Sequence, residues 1–151
     1  MRISAKADYA MRALLELAAS DDDLVKGDDL AERQGIPIKF LEKIMSDLKL
    51  AGIVSSQRGA DGGYSLVRKP EEVTLAEVLR AIEGPIAIVR DTRPESLEYE
   101  GPAEGLQSAW VALRSSMRIV LETLTLADIL DRKFPEPVAS MLADDGAWES
   151  D

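Results

Sequence analysis

The stretch GDDLAERQGIPIKFLEKIMSDLKLAGIVSSQRGADGGYSL, residues Gly27–Leu66, decides the fold of this 151-residue chain. Leu30, Ala31, Ile36, Leu41, Ile44 and Leu48 fall at helical spacing on either side of Gly35. Ala31 offers a small side chain where two helices touch, and Gly35 offers a left-handed reversal. Ile53–Gln57 and Tyr64–Val67 have strand character, and Arg58–Gly63 between them is a turn tip holding three glycines. A phosphate loop is excluded, because the Gly-Lys-Ser/Thr ending and the following helix are missing. Helix, turn, helix and hairpin in this order predict a winged helix-turn-helix that reads DNA, and the stretch shows no catalytic grouping.

Pro37 has no N–H to donate and suits the start of a helix, so the second helix of the pair begins near Ile38 and ends at Gly52. Leu41, Ile44, Met45 and Leu48 face inward on it. Lys39, Phe40, Lys43, Ser46 and Asp47 are left on the outer surface, where a recognition helix meets base edges; alone, this helix reads equally well as an ordinary amphipathic one. The hairpin behind it decides for DNA. Arg58 at the base of the wing suits a narrow minor groove, where negative potential is concentrated. Upstream, Ser4 is a candidate N-cap for a helix to Ala19, with Tyr9, Ala10, Ala13, Leu14, Leu17 and Ala18 recurring at helical spacing. The run Ser20–Asp23 lacks the spacing of a calcium loop and reads as solvated. Asp28 or Asp29 is the candidate cap of the next helix.

Thr74-Leu-Ala-Glu77 and Thr125-Leu-Ala-Asp128 both read as capping boxes, with flanks too different for a repeat. Residues 85–102 have no sustained period and form a long loop, of the kind that often carries function. The helical period returns from Ala103 with Leu106, Trp110, Leu113, Met117, Val120, Leu121 and Leu124. This stripe is either core or a seam between two copies. Residues 1–84 are expected to close a core of their own, which favours the seam, with a short helix following to residue 134. The tail 135–151 is acidic and is expected to be largely disordered beyond Leu142. The expected class is therefore mostly α with a small β-hairpin: a winged helix-turn-helix domain plus a long C-terminal dimerisation helix.

The sequence holds no cysteine and no histidine. That removes disulfides, thiolate nucleophiles, zinc fingers, cysteine-held iron–sulfur clusters and Ser-His-Asp triads, and only an all-carboxylate magnesium, manganese or calcium site remains possible; with no paired acids tied to a cleft motif, no catalytic site, metal site or cofactor is predicted. No apolar run is long enough for a membrane span, so a cytoplasmic protein is expected. The net charge of −10 argues against a nucleic-acid partner until it is divided along the chain. Residues 1–70 carry eleven Lys/Arg and eleven Asp/Glu, whereas residues 71–151 carry seven and seventeen. A polyanion responds to charge within about 8 Å, so the neutral half can meet DNA while the acidic half keeps the protein in solution.

The segments MRISAKADYAMRALLELA, LAERQGIPIKFLEKIMSDLKLAGIVSSQRGADGGYSL, TLAEVLRAIEG and LTLADIL resemble the Rrf-two family of winged-helix transcriptional regulators. The family includes the iron–sulfur assembly regulator, a nitric-oxide-sensing repressor and the cysteine-metabolism repressor. The likeness runs from Met1 to about Phe134, and its most specific part is the wing, Arg58–Tyr64. It implies a homodimer crossed through the helix of Trp110, recognition helices in successive major grooves, and Arg58 at a minor groove. It also implies a sensor loop before the long helix whose three cysteines hold an iron–sulfur cluster. This chain departs there: with Trp110 as anchor, the last cysteine and a nearby histidine of the family fall near Glu104 and Gln107. Asp8 matches a carboxylate ligand of some nitric-oxide sensors, but without a cluster it reads as an acid stabilising a helix N-terminus.

The resulting expectation is a homodimeric, sequence-specific transcriptional regulator, a repressor more than an activator, acting without a cluster on an imperfect palindrome in double-stranded DNA. The candidate DNA contacts are Arg2, Lys6, Ile38, Lys39, Phe40, Glu42, Lys43, Arg58, Gly59, Gly62, Gly63 and Tyr64. Among them Lys39 and Lys43 suit phosphate or guanine, Phe40 suits thymine methyl groups, and Glu42 suits either a cytosine amine or a neighbouring lysine. The dimerisation stripe is the set from Leu106 to Leu124 above. The loop 85–102 either binds a small-molecule effector, contacts a partner protein, or is a relic. The rival reading is a protein-interaction module with this fold that never meets DNA; an enzyme is a distant third.

Overall fold

Helix α1 (Ala5–Ala19) is the hub of the chain, in a computed structural model that describes residues 2–150. The Ser4 hydroxyl accepts from the Ala7 N–H at 3.1 Å and caps it. Ala7, Ala10, Ala13, Leu14 and Leu17 form its buried face, small enough at three positions for other helices to approach closely. Helices α2 (Gly27–Gln34), α3 (Ile38–Leu50) and α4 (Leu75–Glu83) all pack on α1. Leu14, Leu41, Ile44, Met45 and Leu48 are fully buried between them, each stabilising the fold by about 1.5–3 kcal/mol.

The turn between α2 and α3 closes as the sequence predicts. Gly35 is left-handed at φ 62, and the Ile36 N–H reaches back to the Ala31 carbonyl at 2.9 Å. Gly52, at φ 73, ends α3 in the same way, with Ile53 N–H on the Leu48 carbonyl at 3.0 Å. The start of α2 differs from expectation. Lys26 occupies the N-cap with no side-chain cap bond, and Asp28 and Asp29 lie inside the first turn, next to the positive end of the helix dipole. The helix starts early because Val25 is already fixed by the wing.

Strands β1 (Val54–Gln57) and β2 (Gly63–Leu66) pair antiparallel, from Val54 opposite Leu66 to Gln57 opposite Gly63. On the other edge of β2, Val25 exchanges two hydrogen bonds with Tyr64, at 2.9 and 2.8 Å. Gly62 and Gly63 are set by these close approaches. A Cβ on Gly62 would lie 2.2 Å from the Gln57 carbonyl oxygen, and one on Gly63 would lie 2.6 Å from that of Val25. The wing is tied to α4 by Arg68, which donates to the Glu72 carbonyl at 3.0 Å and to the Glu77 carboxylate at 2.7 Å.

Both capping boxes are present. They are separate helix starts, as expected, but they are also partners: Thr74 and Thr125 form an antiparallel bridge. Leu75 N–H donates to the Leu124 carbonyl at 2.9 Å and Leu126 N–H to that of Val73 at 3.0 Å. This bridge returns the chain to the head after α5 (Leu106–Thr123) and starts α6 (Leu126–Asp131). Leu126 is fully buried and sits in the same hydrophobic cluster as Leu14 and Leu48. The expectation that residues 1–84 close their own core is therefore corrected: α6 supplies part of it.

Between α4 and α5 the loop makes a small hairpin, Val89 against Thr92, and 3-10 turns at Pro94–Ser96 and Gly101–Ala103. In the tail, helix α7 (Val138–Leu142) is followed by a 3-10 turn, Asp145–Trp148, where the sequence predicts little structure. Asp144 caps that turn, and the Trp148 indole N–H donates to the Leu142 carbonyl at 2.9 Å. No helix among the described residues is long and apolar enough to cross a membrane.

Candidate nucleic-acid interface

One face of α3 and the inner side of the wing enclose an open groove of about 610 Å³. Ile38, Glu42, Ser46 and Lys49 line it from α3, at spacings of four, four and three that place them on one helix face. Gln57, Arg58, Gly59, Gly62, Gly63 and Tyr64 line it from the wing, and Lys26 and Asp28 from the start of α2. The structure thus brings together seven of the twelve predicted contacts: Ile38, Glu42, Arg58, Gly59, Gly62, Gly63 and Tyr64. Arg58 is exposed and makes no hydrogen bond or ion pair among the described residues. Gly59, at φ 109, lets the tip turn away behind it. Tyr64 is half-buried against Gly27, and burial, helped by the Glu42 charge, pushes its phenol above the ordinary value.

The other candidates lie around the corner of α3, toward α1. Asp47 accepts from Lys6 at 2.6 Å and from Lys43 at 3.1 Å. These two ammonium groups hold its carboxyl below the usual range against the opposing effect of burial. Asp47 is therefore a clamp and not the free outer side chain that helical spacing predicts, and two candidate phosphate ligands are partly neutralised by it. Phe40 is only 36% exposed because its ring meets Tyr9 edge-on, centroids 5.5 Å apart. Arg12 stacks over the same Tyr9 and donates to the last carbonyl of α2, Gln34, at 3.0 Å, which fixes α2 against α1. Lys39 and Arg2 are exposed.

Sequence reasoning missed Lys26, Lys49 and Gln57 as groove residues. Lys49 was legible, since it continues the helix face of Ile38, Glu42 and Ser46; its ammonium donates to the Ser56 hydroxyl at 2.7 Å and joins α3 to the wing. Lys26 was not, because its place depends on the bridge between Val25 and Tyr64.

The predicted dimerisation stripe is distributed unevenly. Helix α5 has no buried residue along its 18 positions. Leu106 and Leu113 are 38% and 46% exposed, and Trp110, Met117, Val120 and Leu121 are half-buried. The Trp110 indole N–H donates to the Tyr99 hydroxyl at 3.2 Å. Leu124 departs from the prediction. It lies past the end of α5, buried, with its carbonyl committed to Leu75, so it belongs to the head.

Known proteins agree with this geometry. A family described as Rrf2, iron-dependent transcriptional regulator, matches residues 3–132. A Mycobacterium tuberculosis protein named as a helix-turn-helix-type transcriptional regulator is 50% identical, over 99% of this chain and 94% of its own. CymR of Bacillus subtilis is 35% identical over 85% of this chain and 89% of its own. The solved structure of that CymR, described as the global cysteine regulator, superposes with a TM-score of 0.74 at 33% identity, covering 88% of this chain and 98% of CymR. IscR of T. potens superposes at 0.69 with 30% identity, covering 93% and 96%.

The iron in the family's description does not fit the donors present. With no cysteine or histidine in the sequence, neither thiolate nor imidazole is available to an iron–sulfur cluster. Gln107, near the expected ligand positions, spends its amide N–H on the Glu95 carbonyl at 3.1 Å. No group of three or more carboxylates among the described residues is placed to hold a metal ion. The reading head is that of the relatives, and with it the chain belongs to the Rrf2 family of transcriptional regulators.

Proposed function

We propose that the protein is a homodimeric, sequence-specific DNA-binding regulator, a repressor by class, that works on an imperfect palindrome without an iron–sulfur cluster. The observation that carries this reading is the groove in which Arg58, with no ion pair among the described residues, faces the exposed side of α3. A helix in the major groove and an arginine beside it in the minor groove match the two grooves that such a fold spans. The dimer is supported by α5, an 18-residue helix with no fully buried residue on its own protomer. Two heads related by a two-fold would read half-sites about 34–36 Å apart.

The deciding experiment is a DNA titration at several salt concentrations with wild type and Arg58→Ala. Wild-type affinity falls with salt at a slope of about −0.9 per phosphate neutralised. Arg58→Ala weakens operator binding roughly tenfold or more, with melting temperature and oligomeric state unchanged. An unaltered affinity in the variant removes the wing from the mechanism.

One observation favours the rival reading, a protein-interaction module. Asp47 already neutralises Lys6 and Lys43, so the head offers a polyanion fewer free cations than the sequence promises. The absence of any duplex binding even at low salt would favour that alternative.

A further inference from the structure

The acidic half of the chain holds seven basic residues, and four of them meet in one place. Arg80 from α4, Arg93 from the loop, and Arg114 and Arg118 from α5 line a cavity of about 490 Å³, walled on its apolar side by Ile86 and Ile88. Among the described carboxylates of this half, only Glu95 lines it. Glu122 stands beside it, accepting from Arg80 at 2.6 Å and from Arg118 at 3.0 Å. Glu95 pairs with Arg114, and Arg93 enters no ion pair among the described residues. Four guanidinium groups against two carboxylates leave two positive charges over, in a half whose net charge is −10.

The loop around the cavity is also held in an uncommon backbone state. Ala87, Arg90 and Asp91 all have positive φ, at 51, 50 and 58°. Such residues cost about 1 kcal/mol or more each and persist where surrounding structure enforces them, often beside ligand sites. Arg90 and Asp91 form a two-residue hairpin turn that glycine and asparagine normally fill.

We propose that this cavity binds a small organic dianion, a phosphate-, sulfate- or dicarboxylate-bearing metabolite. The two surplus charges match a dianion. Guanidinium forks suit the paired oxygens of such groups. The volume exceeds that of one oxyanion and lies in the range of small-molecule sites, and Ile86 and Ile88 suit a short carbon skeleton. Glu95 acts as the occupant's stand-in on Arg114, so the ligand competes with it. A bound dianion touches α4, the loop and α5 at once and fixes the long helix to the head.

The site shares no lining residue with the α3–wing groove, so it is tested independently of DNA. The full chain is titrated calorimetrically, and melted, with sodium phosphate, sulfate or succinate against sodium chloride at matched ionic strength. At least one of the three is expected to bind saturably and raise the melting temperature above the chloride value. Arg93→Ala, which breaks no ion pair among the described residues, is expected to weaken that binding about tenfold, and Arg118→Gln to weaken it similarly. Arg58→Ala leaves it unchanged. Tetrahedral anions acting alone identify a phosphate or sulfate ligand, and succinate acting alone a dicarboxylate. No effect beyond chloride, or the same effect in Arg93→Ala as in wild type, overturns the assignment, the latter because general salt exclusion stabilises both alike.

Discussion

At the scale of single residues, Asp47 sets how much positive charge the head shows to a polyanion. It draws Lys6 from α1 and Lys43 from its own helix onto one carboxylate. Because the folded state depresses its pKa, its contribution to stability is complete above the ordinary carboxylate value and is lost as pH falls through the lower, folded one. Asp47→Asn is therefore expected to be less stable than wild type at pH 7, with the gap closing in melting curves taken below about pH 4. The same variant frees two ammonium groups, so nonspecific DNA affinity at low salt should rise by about two- to tenfold, with a steeper salt slope. Gly62 makes a different demand, for space. Gly62→Ala pushes a methyl group into the Gln57 carbonyl, and a loss of about 1–3 kcal/mol in denaturant unfolding is expected. The glycines and Arg58 could be read directly from the sequence as a wing tip. The Asp47 clamp could not, since Lys6 lies 41 residues away and only the packing of α1 on α3 brings it near.

At the scale of elements, local signals were legible and their pairing was not. Each capping box is a four-residue pattern whose hydrogen bonds close within itself, so Thr74 and Thr125 could be placed without knowing the fold. Their antiparallel bridge depends on where α5 returns, which no local pattern encodes. Thr125→Ala removes the hydroxyl that accepts from the Asp128 N–H, at an expected cost of about 0.5–2 kcal/mol. Circular dichroism melting of the full chain checks this; an unchanged midpoint would show that the bridge, and not the cap, holds the start of α6. The early start of α2 has the same origin. Asp28 and Asp29 have the chemistry of caps, but the wing strand fixes Val25 just upstream and moves the boundary.

At the scale of the whole molecule, the periodic stripe of α5 was legible, while Leu124 was misplaced because period alone does not reveal where the helix stops. A second copy of this chain would cover Leu106, Trp110 and Leu113. Leu113→Glu is expected to shift the protein toward monomer in analytical ultracentrifugation and to weaken operator binding at least tenfold, since two linked heads bind more tightly than one. A dimeric Leu113→Glu variant would move the seam elsewhere. Leu126 adds a constraint of timing. It plugs the core of the head, yet it is made after the long helix. At about 5–20 residues per second of synthesis, the reading head waits several seconds after its wing is translated before its last core side chain exists. A nascent chain therefore cannot complete the core beneath its proposed DNA-reading surface before the helix proposed to join it to a partner has also been made.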